Sequence, residues 1–330
     1  MMETLEGGEL CFPQLLNTSC RKPMRPRSKA MLLYILLSSI SLFTVALNLL
    51  VIISISHFRQ LHTPTNLLLL SLAVSDFLAG FLMPVEILLV GSCWLLGDLM
   101  CALSFFVVFT IISVSVGNMV LISVDRYVAI CDPMRYPTKI TQRRVKMCVC
   151  LCWVCSFFYS SLIQNDFLGQ PGRYNSCIGE CVVVINYIAG AVELVLTFIV
   201  PITVIIVLYM RVFVVAVSQA RAMRSHIVAD TLQRSVTVTA KKSERKAART
   251  LGIVIVVFLM CFCPYYCVSL TAQDNMTSAS SETFVVSLVY VNSCLNPVIY
   301  AFFYPWFRKS IKLIVTLQIL QPDSCEANIL

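Results

Sequence analysis

Residues Cys101 to Tyr127 read CALSFFVVFTIISVSVGNMVLISVDRY. From Leu99 to Val124 no side chain is charged, and the run then ends in Asp125-Arg126. A helix of this length reaches roughly 35–40 Å, enough to cross a hydrocarbon core of about 30 Å with some tilt. One end carries a cysteine and the other an acid–base pair, so the segment joins two chemically different surfaces. It reads as the central rod of a membrane bundle.

The rest of the chain agrees with that rod. Of its 330 residues, 58% are hydrophobic and only 13% charged, against about 25% charged in soluble domains. Seven apolar spans are each long enough to cross, roughly 31–56, 65–90, 100–124, 146–165, 186–210, 247–272 and 283–303. A basic 211–249 region and a polar 166–182 loop are the long connections. After span seven, Trp306-Phe307-Arg308-Lys309-Ser310-Ile311-Lys312-Leu313-Ile314 mixes bulky apolar and basic residues at helical spacing, and it is too short to span. The expected fold is an all-α membrane protein: a seven-transmembrane-helix bundle (31–304) between an extracellular segment (1–30) and an amphipathic helix with a short cytoplasmic tail (305–330).

Composition also excludes classes. The net charge of +8 comes from residues between apolar spans, which set topology and do not bind nucleic acid. Cys148, Cys150, Cys152 and Cys155 lie inside an apolar run and lack the paired spacing of a metal site. Residues 1–29 contain no apolar core of a signal peptide. A transporter or intramembrane enzyme is disfavoured, because the two halves show no repeat and the three histidines all lie near loops. With the N-terminus outside, 19 of the 25 Lys and Arg fall on the cytoplasmic side. The sequons beginning at Asn17 and Asn275 would then face the glycosylating compartment.

Several residues carry chemistry. Cys101 and Cys181 both face the oxidising side, where a bridge would pin the loop over the bundle mouth, and Cys177 is expected to pair with Cys11 or Cys20. At the inner boundary, Asp125-Arg126-Tyr127 lies opposite Lys242-Ser243-Glu244-Arg245-Lys246, so a Glu244–Arg126 pair would hold spans three and six together as a two-state switch. Asp76 in span two is an acid near mid-membrane. With Ser115, Asn292, Ser293 and Asn296 it forms either a polar network tying spans together or a site for a small hard cation such as Na⁺. Pro297 removes a backbone donor from span seven, and further kinks are expected at Pro201 and Pro264.

Taken together, these residues resemble the rhodopsin-like G-protein-coupled receptors. The resemblance covers residues 30–315 and rests on Asn48, Leu72, Asp76, Cys101, Asp125-Arg126-Tyr127, Trp153, Pro201, Tyr209, Phe258, Pro264 and Asn296-Pro297-Val298-Ile299-Tyr300. More narrowly, Asn292-Ser293-Cys294-Leu295-Asn296-Pro297 running into Tyr300-Ala301-Phe302-Phe303-Tyr304-Pro305-Trp306-Phe307 is similar to the signature of trace amine-associated receptors. That family implies a plasma-membrane olfactory receptor for small-molecule amines, coupled to a stimulatory G protein that raises cyclic AMP. It also implies activation residues at Asp125, Arg126, Tyr127, Glu244, Tyr209, Phe258, Phe262, Asn296, Pro297 and Tyr300, and no cofactor beyond an allosteric sodium ion.

The departures from the family direct the search for the ligand. Amine receptors of this kind carry an aspartate seven residues after the span-three cysteine, and here that position is Val108. A buried ammonium without a partner is disfavoured by several kcal/mol, so either the ligand is not an amine or the carboxylate has moved. Glu193, eight residues before Pro201, is the expected replacement, with Thr197 one turn deeper on the same face. One fish group of the family resembles this exchange and would bind the amine the other way round. Glu86 is a second intramembrane acid; if both glutamates face the cavity, a di- or polyamine would bridge them. Tyr265, Tyr266 and Tyr290 are expected to line the pocket, where ring faces hold a cation by about 0.5–2 kcal/mol each. Phe262 stands where the family carries tryptophan. The competing expectation is a receptor of the same fold for a non-amine odorant, with Glu193 structural.

Overall fold

The computed structural model describes residues 9–15, 17–21, 27–91, 93–182, 187–226, 252–267 and 279–329. Seven apolar helices and an eighth lying beyond them follow in order. They are α1 (Arg27–His57), α2 (Pro64–Gly91), α3 (Gly97–Cys131), α4 (Gln142–Ile163), α5, α6 (Gly252–Cys267), α7 (Ala279–Phe303) and α8 (Pro305–Val315). Helix α5 comes in three continuous pieces: Tyr187–Glu193, a π-helical Leu194–Ile199, and Val200–His226. The wide π turns lie directly before Pro201, whose ring excludes the ordinary i−4 hydrogen bond and forces the ladder to widen.

Burial is inverted relative to a soluble bundle. Asn48, Ser75, Asp76, Asn118 and Asn296 are fully buried, while Leu32, Phe43, Leu151, Phe158 and Leu162 are exposed. Polar groups inside and large apolar ones outside is the arrangement a hydrocarbon solvent demands. Helix α3 is the rod foreseen in the sequence, and it runs on past Tyr127 to Cys131. It packs against α2, α4 and α5, while α1 packs against α2, α7 and α8. Small residues permit the close crossings. A Cβ on Gly117 would run into Cys152 Sγ of α4, and one on Gly80 would meet Thr44 of α1. Trp153 ties α4 to α2 by donating from Nε1 to Ser71 Oγ at 3.1 Å.

The helix ends follow local rules. Asp98 sits in the first turn of α3, where negative charge favours the helix dipole. The Thr141 side chain accepts from the Arg144 N–H to start α4. Pro305 opens α8, whose Trp306, Phe307 and Ser310 are buried while Arg308 and Lys309 face outward. The polar 166–182 loop is more ordered than its composition implies: the one-turn helix Asn165–Gly169 opens it, and Phe167 is buried against the outer end of α3.

Three disulfides close the outer face: Cys101–Cys181, Cys20–Cys177 and Cys11–Cys93. Of the two partners open to Cys177, the fold selects Cys20. Cys11 instead reaches Cys93, in the short turn between α2 and α3, a pairing the sequence reading did not consider. The N-terminal segment folds back on itself at the Leu10–Arg21 bridge and is stitched to the 166–182 loop at Ser19–Ile178, where the Cys20 N–H donates to the Ile178 carbonyl at 2.9 Å. The same loop is tied to the α2–α3 turn by the Trp94 N–H donating to the Gly179 carbonyl at 2.9 Å. Asn17 of the first sequon is exposed on this segment.

Candidate ligand site and the networks beneath it

A cavity opens in the middle of the bundle between α2, α3, α6 and α7. Ala79, Val108, Ile111, Ile112, Ser115, Phe262, Val289, Tyr290 and Ser293 line it. Val108, on α3, therefore presents an isopropyl group to this space. Phe262 forms the α6 wall and stacks at a tilt on Phe258, with ring centroids 4.4 Å apart.

One helical turn outward on α6, Tyr266 marks the next level. Its hydroxyl lies 2.8 Å from Thr197 Oγ1 of α5, and its ring stacks on Phe198 at 4.3 Å. Thr197 Oγ1 donates in turn to the Glu193 carbonyl at 2.6 Å. The threonine has one hydrogen, so in this arrangement Tyr266 is the donor to Thr197 and its own proton is committed. Tyr265 meets Tyr266 edge-on at 5.1 Å.

Glu193 lies one more turn outward on α5 and is half-buried. It is within electrostatic range of Tyr159 on α4 and Tyr266 on α6. Among the described residues, no cation and no hydrogen-bond donor meets its carboxylate. Tyr159 was not singled out in the sequence, where it is one aromatic in the run Ser156-Phe157-Phe158-Tyr159. Its hydroxyl is buried and has no hydrogen-bond partner among the described residues. The Glu86 side chain lies outside the described residues.

Below the cavity, α2 and α7 join through Asp76. Ser293 Oγ donates to Asp76 Oδ1 and Asn296 Nδ2 to Oδ2, both at 2.8 Å. Ser115 reaches the neighbouring residue, donating to Ser75 Oγ at 3.0 Å. Asn48 Nδ2 donates to the Ser293 carbonyl at 3.0 Å. The amide oxygens of Asn292 and Asn296 are buried and meet no partner among the described residues. Carboxylate, hydroxyl and orphaned amide oxygens are the donor set a hard monovalent cation takes, so these residues fit a sodium ion.

At the inner end, Arg126 is clasped from its own side of the bundle. Its Nε donates to Asp125 Oδ2 at 2.9 Å. Thr65 Oγ1, at the start of α2, donates to the same oxygen at 3.0 Å. Tyr136, in the one-turn helix Tyr136–Lys139, donates to Asp125 Oδ1 at 2.9 Å. Burial pushes the Tyr136 phenol above its ordinary range, so it remains a donor. The sequence reading gave neither Thr65 nor Tyr136 this role, since each is an ordinary polar residue near a proline. Its Glu244–Arg126 pair lies outside the described residues. Tyr127 packs with Ile130 and Val212 where α3 meets α5. Tyr209 of α5 places its hydroxyl where a Cβ on Gly252 of α6 would have to sit. Tyr300, at the inner end of α7 beyond Pro297, is fully buried.

Comparison with known proteins follows the same outline. The pattern described as "7 transmembrane receptor (rhodopsin family)" matches residues 47–300. Trace amine-associated receptor 13c of Danio rerio is 38% identical over 98% of this chain and 97% of its own length. Trace amine-associated receptor 8a of Rattus norvegicus is 36% identical over 96% of this chain and 95% of its own. Trace amine-associated receptor 4 of Mus musculus is 34% identical over 97% and 95%.

Proposed function

The chain belongs to the trace amine-associated receptors within the rhodopsin family of seven-transmembrane receptors, and on that premise we propose that it is a chemosensory receptor for amines in which Glu193 is the ammonium counter-ion. As a multi-pass membrane receptor it takes a small-molecule ligand and a G-protein partner. The finer assignments are ours: the plasma membrane, an extracellular N-terminus, and a stimulatory G protein that raises cyclic AMP.

One observation supports the amine reading above the others. Glu193 is a half-buried carboxylate with no protein donor or cation among the described residues, while Val108 brings no charge to the central cavity, whose lining does not include Glu193. An acid left in that condition at a bundle mouth is disfavoured unless a cation joins it. A bound ammonium would place its charge at Glu193 and rest against Tyr266 and Phe198. Its apolar body would extend inward toward Phe262 and Val108. Agonist binding then shifts a pre-existing equilibrium in which α6 moves away from Arg126. Sodium held by Asp76, Ser293 and Asn296, with Asn292 and Ser115 nearby, would favour the resting state. A diamine would add Glu86 as a second contact.

The apolar lining at Val108 favours a second reading, a non-amine odorant seated in the central cavity with Glu193 structural. A screen of mono-, di- and polyamines read as cyclic AMP separates the two. If Glu193→Gln abolishes every amine response at unchanged surface expression, the amine reading stands; amine responses that persist in that variant would sink it.

A further inference from the structure

Tyr159 holds an unused group in the outer half of the bundle. Its hydroxyl is buried and has no hydrogen-bond partner among the described residues, as is true of Ser160 and Gln164 further along, but Tyr159 is the one with Glu193 in electrostatic range. Leaving a buried hydroxyl unmade costs about 1–3 kcal/mol, and such a group in a native fold calls for an explanation. Packing alone does not supply one, because phenylalanine would fill the same space without the orphaned oxygen.

The neighbouring phenol is already engaged. Thr197 donates to the Glu193 carbonyl and Tyr266 donates to Thr197, while the Tyr159 hydroxyl, within electrostatic range of the carboxylate, is uncommitted among the described residues. An alkylammonium at Glu193 brings different numbers of N–H donors according to its substitution: three when primary, one when tertiary. The carboxylate takes the first in every case. Only a primary or secondary ammonium has another N–H to give to a phenol oxygen.

Resting on the assignment of Glu193 as counter-ion, we propose that Tyr159 is a specificity-determining residue that makes this receptor prefer primary amines over their N,N-dimethyl derivatives. Its oxygen accepts a second N–H of the ammonium bound to Glu193. A dimethylated ligand leaves that oxygen unpaired and sets methyl groups against it. Sites built to hydrogen-bond a ligand group reject analogues that lack it far more strongly than apolar pockets reject an added methyl.

The test uses full-length receptor in cells, with cyclic AMP as readout and surface labelling as control. The probes are phenethylamine, hexylamine and hexamethylenediamine, each with its N-methyl and N,N-dimethyl derivatives. In the wild type, potency is expected to fall by about tenfold or more from primary to dimethyl. In Tyr159→Phe the primary amine should lose about tenfold while the dimethyl compound stays within about twofold, so that discrimination collapses. Tyr159→Leu also removes the oxygen, and it should give the same collapse if the Phe variant is poorly expressed. Discrimination that survives both substitutions, equal loss for every probe, or a wild-type preference for the dimethyl series overturns the proposal. Failure of the underlying reading looks different: then no amine activates the wild type, or Glu193→Gln responds like it.

Discussion

Asp76 and Glu193 are both carboxylates inside the bundle, and their surroundings are opposite. Asp76 is fully buried and receives one donor on each oxygen, from Ser293 and Asn296 of α7. Glu193 is half-buried and receives none from the described residues. An acid whose lone pairs are filled by another helix is part of the machinery that couples helices. One left unfilled at the mouth is waiting for something from outside. Asp125 belongs with the first kind, held by Thr65, Tyr136 and Arg126. Partner count, more than burial, separates the acids that hold the bundle from the acid proposed to recognise the ligand.

Substitutions can break that contrast. The largest effect is expected at Glu193, where Gln removes the charge that an ammonium needs. Potency for amine agonists should fall by roughly a hundredfold or more, measured by cyclic AMP dose–response at matched surface expression. Ser293→Ala attacks the other acid by stripping Asp76 Oδ1 of its donor. The expected loss is about 1–3 kcal/mol of stability, read as a lower unfolding temperature of the solubilised receptor, with amine recognition retained. Thr65→Val removes one donor from Asp125 and loosens its hold on Arg126. Basal cyclic AMP without ligand should rise by about fivefold, since a single hydrogen bond of roughly 0.5–1.5 kcal/mol shifts such an equilibrium by about two- to tenfold. Sodium gives the smallest change. Raising it should lower agonist potency by about threefold in the wild type and not at all in Asp76→Asn, because an effector and an agonist coupled through one equilibrium oppose each other reciprocally.

Much of this was legible before any coordinates. The uncharged run from Leu99 to Val124, the asymmetry of Lys and Arg, and the apolar–basic mixture from Trp306 to Ile314 are local patterns. A hydrocarbon solvent reads them locally too. That position 108 carries a valine and position 193 an acid could be placed on their helices because the cysteine of span three and the proline of span five give each helix its own ruler; the exchange of roles between them is a proposal. The groups that hold Asp125 beside Arg126 were not visible. Thr65 is distant in sequence, Tyr136 lies across a turn from α3, and both are chemically ordinary; the residue expected to pair with Arg126, Glu244, lies outside the described residues. Tyr159 was hidden for a related reason: Trp153, Phe157 and Phe158 share its aromatic character and Ser156, Ser160 and Ser161 its hydroxyl, and nothing local says which will be left without a partner.

The division between the two sources is physical. The amino-acid sequence by itself determined that there are seven spans and an interfacial helix, where each crosses, and which spans carry acids, because transfer of each side chain into hydrocarbon depends on that side chain and its near neighbours. Only the tertiary structure decided that Cys11 reaches Cys93 while Cys20 takes Cys177. It also decided that Asp76 is satisfied while, among the described residues, Glu193 and Tyr159 meet no partner. Pairing is a property of two surfaces brought together, and helices far apart in the chain meet at a register that no single one of them encodes.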